Sequence, residues 1–552
     1  MIRSNLIIIL IFLTSIAFSQ NTLQKENYKA DIIIYGGTSS AIISGIKAAS
    51  LGRSVIIISP DTHLGGMTTN GLGFTDSGHK EYIGGLAKEF YHRVYQYYSE
   101  ETTWNWVSRN KFKNKGQDAP SIDDKTQTMW TFEPHVAEQI FDDWLKEYPI
   151  QILKNEWLDR ERPLDKEARQ IIAFYTLSGK RIEGKIFIDA SYEGDLMALT
   201  GVSYHVGRES NSVYNENYNG IQKGVFQHDH NFKDLKINAY WEHNSKKSGL
   251  LPKISEDTPG KNGDGDHRVE AYCYRLCLTQ VRDNFIPITK PDGYNPKNYE
   301  LLGRIYEAGW DQTFVKFDAI PNGKTDVNNH GPFSHDNIGM NYEYPEASYK
   351  KRKEIEKEHQ AYQQGLLYFI KTDPRVPDST RLAMAKWGYA KDEFKDNNGF
   401  PHQLYIREAR RMIGSYVMTE HDVMGKKKIK DPIGMGSYSL DSHNVQRFVT
   451  FFHHVENEGD IGVNPPHPYS ISMRSIIPKE NECTNLIVPV CLSSSHIAYG
   501  SIRMEPVFML LGESASQLAD LALKNKTTVQ KVNYNALKGA LLEANQILTY
   551  QK

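Results

Sequence analysis

Residues 31 to 76 predict an α/β protein whose parallel sheet carries a nucleotide-binding β-α-β unit, and three observations point there. Ile32 to Tyr35 is a continuous apolar run between a polar start and a glycine turn, the pattern of a strand buried on both faces. Ala41, Ile42, Gly45, Ala48 and Ala49 recur at helical spacing and give a small-residue face that can lie flat on a sheet. Gly52 ends that helix. Val55 to Ile58 then supplies a second apolar strand, closing the unit within about thirty residues, the size that binds dinucleotides.

The glycine fingerprint of such units needs a tight turn, a close backbone approach to pyrophosphate and a close helix–strand contact, positions held here by Gly36, Thr38 and Ala41. Gly36 and Gly37 permit the turn, and the helix N-terminus offers free N–H groups to an anion. Ser59 stands at the end of the second strand, where an acid is expected, and it can still hydrogen-bond a ribose; Asp61 is the nearest carboxylate. An ordinary buried β-α-β unit accounts for this motif about as well. The following run, HLGGMTTNGLGFTDSG, favours the cofactor reading. Gly65, Gly66, Gly71, Gly73 and Gly78 leave backbone amides open along it, while Leu64, Met67, Leu72 and Phe74 anchor it.

Met1 to Gln20 reads as a secretory signal, residues 1–19, with Arg3 ahead of the apolar stretch Leu6 to Phe18 and Ala17-Phe18-Ser19 as a cleavage site. The stretch is short for a membrane span, although a retained anchor is the alternative, and a periplasmic or secreted protein is expected. No twin arginine is present, so a cofactor is expected to join after export. The 552 residues exceed one simple core, so two or more interleaved lobes are expected. A net charge of −2 argues against nucleic acid or anionic membrane as a partner, and an acidic ligand must be met by local basic groups. Cys273, Cys277, Cys483 and Cys491 lack zinc-binding spacing and read as core residues or at most one disulfide.

Further along, LAKEFYHRVYQYY after Gly84-Gly85 is helical, Glu100 to Gln127 has no period and suits a lid or insertion, and EPHVAEQIFDDWLKEY is helical again. IQILKNEWLDR reads as a strand, and Ile171 to Ile188 as a β-meander turning at Ser178-Gly179. Its last strand ends in IDASYEGD, where an α/β sheet delivers ligand contacts; Asp189, Ala190, Glu193, Gly194 and Asp195 are candidates, and acids capping a helix are the alternative. Tyr, His, Asn and Trp are frequent from 205 to 440, a composition that stacks on sugars and hydrogen-bonds hydroxyls, or simply forms polar loops. His228, His230, His330 and His335 carry no accompanying Glu or Cys spacing, so no metal is expected. Glu346 to Lys371 is a charged helix. In LYIREARRMIGSYVMTEHD, a helix would put Arg407, Arg410 and Arg411 on one side, where they build an ion network or clamp a substrate carboxylate or sulfate. Asp441, His443 and Asn444 fall in an expected loop, with His443 a catalytic candidate.

The strings YGGTSSA, HLGGMTTNGLG, FEPHVAEQIF, FIDASYEGDLMALTGVSYHVGRES, LYIREARRMIGSYVMTEHD, GSYSLDSHNVQR and SSSHIAYGSIRMEPVFMLLGESA resemble, in order, a bacterial family of FAD-dependent oxidoreductases. Their flavin domain is glutathione-reductase-like, and some members carry xanthan-lyase-like names and occur among enzymes of polysaccharide breakdown. The sequence departs from that pattern at Ala41, more often glycine, and at Ser59, more often an acid. The resemblance implies FAD as cofactor, a Rossmann FAD-binding domain with a β-meander in residues 30–204, and an inserted α+β substrate lobe in 205–440. It also implies a return to the FAD domain in 441–523 and a C-terminal helical tail in 524–552. By the same resemblance, NLIVPVCL and the segment after it close the flavin site. The helix starting at Arg503 to Pro506, with Arg503 and Glu505, would point its positive end at the flavin, and His496 and Tyr499 would sit beside the ring.

His496 is then the expected base, taking a hydroxyl proton as hydride leaves the adjacent carbon. Two outcomes stand level: net oxidation of a sugar with an unknown electron acceptor, or oxidation, elimination and return of the hydride, as in a dehydratase or lyase on an acidic oligosaccharide. A glycan-binding protein that has lost the flavin is the alternative from another class.

Overall fold

The computed structural model describes residues 26–117 and 119–551, so the expected signal segment lies outside the described residues. The first strand, β1 (Asn27–Tyr35), starts five residues before the apolar run, because its polar beginning pairs with a later strand. It leads through Gly36-Gly37 into α1 (Ser39–Ser50) and β2 (Val55–Ile58). Two amphipathic helices, α2 (Gly85–Ser99) and α3 (Pro134–Lys146), precede β3 (Ile150–Leu153). A meander follows as β4 (Asp165–Glu167), β5 (Gln170–Tyr175) and β6 (Arg181–Asp189).

These strands form one seven-stranded sheet in the order β3-β2-β1-β6-β5-β4, with a further short strand on β6. The pairings β1–β2, β1–β6 and β2–β3 are parallel, while β4, β5 and β6 meander antiparallel. β6 lies beside β1 along its whole length, which carries Asp189 next to the β1 turn, and the beginning of its other edge pairs with β5. This is the mixed α/β arrangement of a Rossmann-type FAD domain with an attached meander.

The middle of the chain builds a second sheet of five antiparallel strands from β7 (Leu276–Thr279), β8 (Phe285–Pro287), β9 (Phe317–Ile320), β10 (Lys324–Val327) and β11 (Gly388–Ala390). The long helix α4 (Tyr349–Thr372) accompanies it, three residues offset from the expected span and capped by Ser348. One continuous apolar core runs from Ile32 through Leu276 to Leu541, so the lobes are interleaved.

The chain returns by β12 (Leu440–Ser442) and β13 (Leu486–Ile487), the latter parallel to β6, and then by α5 (His496–Ile502) and α6 (Glu505–Lys524). Only two residues of the expected strand NLIVPVCL pair, because β6 has one free half-edge to offer. α6 packs directly on α1 through small residues. Ser44 Oγ donates to the Gly512 carbonyl at 3.0 Å and Ser516 Oγ to the Ser44 carbonyl at 2.7 Å. A side chain at Gly512 would collide with the Ser40 carbonyl at 2.5 Å. All four cysteines are free and buried, in agreement with the core reading. Among the described residues no helix is long and apolar enough to cross a membrane.

Candidate functional site

The sharp turn after β1 is where the sheet and α1 present backbone rather than side chains. Gly36 has φ +121°, and a Cβ there would meet the Ala190 carbonyl carbon at 2.7 Å, so only glycine lets β1 turn this close to the end of β6. Thr38 caps α1: its Oγ1 accepts from Ala41 N at 3.2 Å and donates to the Ala190 carbonyl at 2.7 Å. Among the described residues, the amides of Gly37, Thr38 and Ser40 find no acceptor, and the fully buried Ser40 Oγ has no partner. Unpaired N–H groups at a helix N-terminus are what a dinucleotide's diphosphate requires, so this donor set fits FAD.

The space beside the turn is narrow. A cleft of about 40 Å³ is lined by Gly36, Gly37 and Thr38 on one side and by Tyr192, Glu193 and Arg352 on the other. Behind Tyr192, buried Glu505, the first residue of α6, accepts from Ser39 Oγ and Tyr192 Oη at 2.5 Å each and from Thr68 Oγ1 at 2.8 Å. Burial raises the pKa of this carboxyl, and its three hydroxyl partners pull it back only in part.

Further along lies a polar cavity of about 380 Å³, lined by Asp76 from the glycine-rich segment, Arg275, Lys316, Tyr405, Arg407, Asp441, His443 and Arg503, with His228, His230 and His330 at its rim. Three buried guanidiniums define it. Arg275 grips Asp326 with two bonds of 2.7 Å, leaving Nη1 without a partner and 4.0 Å from Asp76. Arg407 donates to Asp336 at 2.8 Å and stacks 4.3 Å over the Tyr405 ring. Arg503 donates to Glu270, Asp441 and Tyr405 Oη at 3.0 to 3.1 Å, and its Nε is unpartnered. Two buried cationic donors with no acceptor are costly unless a ligand oxygen meets them.

His443 stands between two carboxylates, 2.8 Å from Asp336 and 3.6 Å from Asp441. Burial and Arg407 oppose charge on its ring, but Asp336 and Asp441 prevail and raise its pKa. Burial also works against ionised Asp336 and Asp441, yet the arginines and His443 hold both well below the usual carboxylate range. The Tyr405 phenol is pushed up by burial to about 12, with Arg503 and Arg407 holding it from going higher.

Of the residues expected at the cofactor, Gly36, Gly37 and Thr38 line the cleft, and Arg503 lines the cavity. Others stand behind. Ser59 Oγ accepts from Asp61 N at 3.0 Å, which closes that turn beside Gly37. Gly65 N donates to the Gly37 carbonyl at 2.7 Å, and Met67 N to Tyr192 Oη at 2.9 Å; with Gly66 they form the wall. Asp189, buried, accepts from Ser191 Oγ and Met197 N at 2.7 Å each, so it shapes the β6 exit and caps a short helix, the alternative reading of that acid.

The catalytic and substrate expectations need larger corrections. His496 is the first residue of α5, its Nδ1 2.9 Å from Glu408 and its Nε2 3.2 Å from Ser442 Oγ, and it does not line the polar cavity. Tyr499 donates to the Val490 carbonyl at 3.1 Å. Both point into the core because α5 is buried along its whole length. Arg407, Arg410 and Arg411 do not share a helix face: residues 404–410 run extended and disperse them. Arg410 pairs with Asp195 and Glu346, and Arg411 with Glu408 and Glu209, leaving Arg407 alone at the cavity. Sequence reasoning passed over Arg275, Asp76 and Tyr405. The signal for Arg275 was available, a charge set among apolar residues in YCYRLCLT, which demands a buried partner.

Fold and site together define a dinucleotide-binding α/β protein with a separate polar cavity. The chain belongs to the FAD dependent oxidoreductase family, whose profile matches residues 31–541. It is therefore a flavoenzyme that uses FAD. Comparison with curated proteins finds no match. Among solved structures, the chain is similar to L-proline dehydrogenase from P. horikoshii, at 18% identity and TM-score 0.23 over 33% of this chain and 59% of that one. It is similar to L-amino acid deaminase from Proteus vulgaris, at 16% identity and TM-score 0.23 over 33% and 61%. A third is 3-ketosteroid-delta4-(5alpha)-dehydrogenase from Rhodococcus jostii RHA1, at 12% identity and TM-score 0.20 over 31% and 47%. The chain thus spans about half of the length of these proteins.

Proposed function

We propose that the protein is an exported FAD-dependent enzyme that acts on an acidic carbohydrate in the cavity lined by Arg275, Arg407 and Arg503. The unpartnered Arg275 Nη1 carries this reading, supported by the unpartnered Arg503 Nε. Buried arginine donors that lack an acceptor suit a carboxylate, as on a uronic acid. Bound FAD would be held at the β1 turn by the amides of Gly37, Thr38 and Ser40 and would supply two-electron oxidation of a substrate C–H. The chain's own groups do the rest. The arginines orient the acid group, and the aromatic and hydroxyl surface of Tyr405 and Tyr438 packs against the sugar. His443, whose protonated form is favoured by Asp336 and Asp441, presents a proton donor to a substrate oxygen.

That donor favours the redox-neutral route over net oxidation. Both routes begin with oxidation of the alcohol and need a base for its hydroxyl proton, and only elimination also needs an acid for the leaving oxygen. Anaerobic incubation of the FAD-loaded protein with a panel of acidic oligosaccharides, followed by mass spectrometry, tests this. Loss of water or of a sugar unit without an electron acceptor supports elimination. A two-hydrogen loss that depends on an acceptor supports oxidation, and turnover of neutral sugars alone refutes the arginine reading. FAD at about a hundred times its Kd should stabilise the fold by ~2.7 kcal/mol in thermal unfolding.

A further inference from the structure

Oxidation of a sugar alcohol in the polar cavity requires a group that takes the hydroxyl proton, and few side chains there are free to accept one. Asp441 is engaged by Arg503 at 3.1 Å and faces His443 at 3.6 Å. Burial opposes charge on His228, but Asp460 and Asp441 outweigh it and lift that ring to about 9, so it holds its proton. The Tyr405 phenol, raised by burial, holds its own as well. Asp76 faces Arg275 at 4.0 Å and accepts from Tyr438 Oη at 3.4 Å. His330 differs from all of these.

His330 follows β10, the strand whose Asp326 grips Arg275, so one strand brings both the anchor of a cavity guanidinium and a ring to the same space. Its Nε2 lies 2.8 Å from Gln312 Oε1. An amide oxygen only accepts, so Nε2 carries the hydrogen of the neutral ring and the lone pair sits on Nδ1. Among the described residues, Nδ1 makes no hydrogen bond. Burial, the His230 ring and Lys316 disfavour charge on His330 and outweigh Asp229, so its pKa falls to about 4; burial keeps neighbouring His335 neutral as well. His443 is the counterpart, since Asp336 and Asp441 favour its charged form. The His230 ring stands 5.9 Å from His330 and 6.3 Å from His443, centroid to centroid, so both lie within the span of a short oligosaccharide. Two groups at one cavity whose surroundings push protonation in opposite directions are what a base and an acid require.

We propose, resting on the carbohydrate reading of this cavity, that His330 is the catalytic base and Gln312 the residue that positions it. Nδ1 takes the proton of a substrate hydroxyl while the hydrogen on the same carbon leaves as hydride to the FAD that the family uses. The C–H pair goes to the cofactor, the O–H pair becomes the second bond of the new carbonyl, and the proton stays on Nδ1. The substrate thus loses two electrons and two hydrogens. In the redox-neutral route the same ring gives its proton back when the hydride returns.

Anaerobic stopped-flow mixing of the FAD-loaded chain with oligogalacturonates and oligoalginates reads this step as bleaching of the flavin band. His330→Ala should slow bleaching roughly 10²- to 10⁴-fold with substrate affinity unchanged, and imidazole added to the buffer should restore part of the rate. His443→Ala should still bleach, because its proton is needed only at elimination. Gln312→Glu, at an exposed side chain, places a carboxylate on Nε2 and should move the acid limb of the bleaching profile to higher pH. Undiminished bleaching in His330→Ala, or loss in Asp76→Asn with survival in His330→Ala, would overturn the proposal. If none of these sugars bleaches the wild-type chain, the carbohydrate reading fails, and diethyl pyrocarbonate still tests the base: at pH 6 it should acylate neutral His330 ahead of His443. Labelling of His443 first would overturn the assignment.

Discussion

In the proposed reaction the chemistry turns on His443, which among the described residues joins a titratable ring at the polar cavity to two carboxylates. Its pKa is raised, so the proton-donating form persists to higher pH than in a free imidazole and is lost as pH rises through the raised value. Activity should therefore fall on the alkaline side, and His443→Ala should cost roughly 10²- to 10⁴-fold in kcat and remove that alkaline limb from the pH–rate profile. His496→Ala, by contrast, should act through the fold: it frees Glu408 from one partner and should lower the melting temperature. Arg407 illustrates the same division. Arg407→Leu strips Asp336 of a buried guanidinium, and a cost of about 3 kcal/mol in denaturant unfolding is expected, together with weaker binding of acidic sugars.

At the scale of elements, the β1 turn and α1 decide whether a cofactor is held. Thr38 fills two roles there, capping α1 and tying it to β6 through the Ala190 carbonyl. Thr38→Ala should cost about 1 kcal/mol, measured by urea midpoint. Gly36→Ala places a Cβ against the Ala190 backbone at φ +121°, so it should cost ~1–3 kcal/mol or more and abolish the yellow flavin band of the reconstituted protein. Helix α1 was legible as small residues at helical spacing, because periodicity reports a packed face directly, but that face was expected on the sheet, and its packing against α6 was not read. The arginine segment was not legible. LYIREARRM has the composition of a helix, yet each of its arginines is extended toward a different acid, and ion pairing across the molecule overrode local propensity.

For the whole molecule, buried carboxylates set stability against pH in two opposing groups. Burial raises Asp61 to about 6 and Glu193 to about 7, so the folded state takes up protons first and gains stability as pH falls from 8 toward 5. Burial also opposes charge on Asp195, Glu209 and Asp460, but Arg352, Arg411 and His228 outweigh it and hold them near 2. Their stabilisation is complete above about pH 4.5 and is lost as pH falls toward about 2. The melting temperature should thus be highest near pH 5 and fall on both sides, steeply in acid.

The sequence by itself determined the β-α-β unit, the meander and the glycine turn, and long motifs tied them to an FAD-dependent family. Each of these is a local pattern: apolar runs, helical spacing, and glycines where φ or close approach excludes a side chain. Only the tertiary structure decided which charged residues face a ligand and which face each other. Arg275, Arg407 and Arg503 lie far apart in the chain and converge at one cavity, while Arg410, Arg411 and His496, adjacent to the same motifs, are spent on buried acids. The physical reason is that a charge gains or loses its function by what neutralises it across the fold, and a linear sequence does not record that distance.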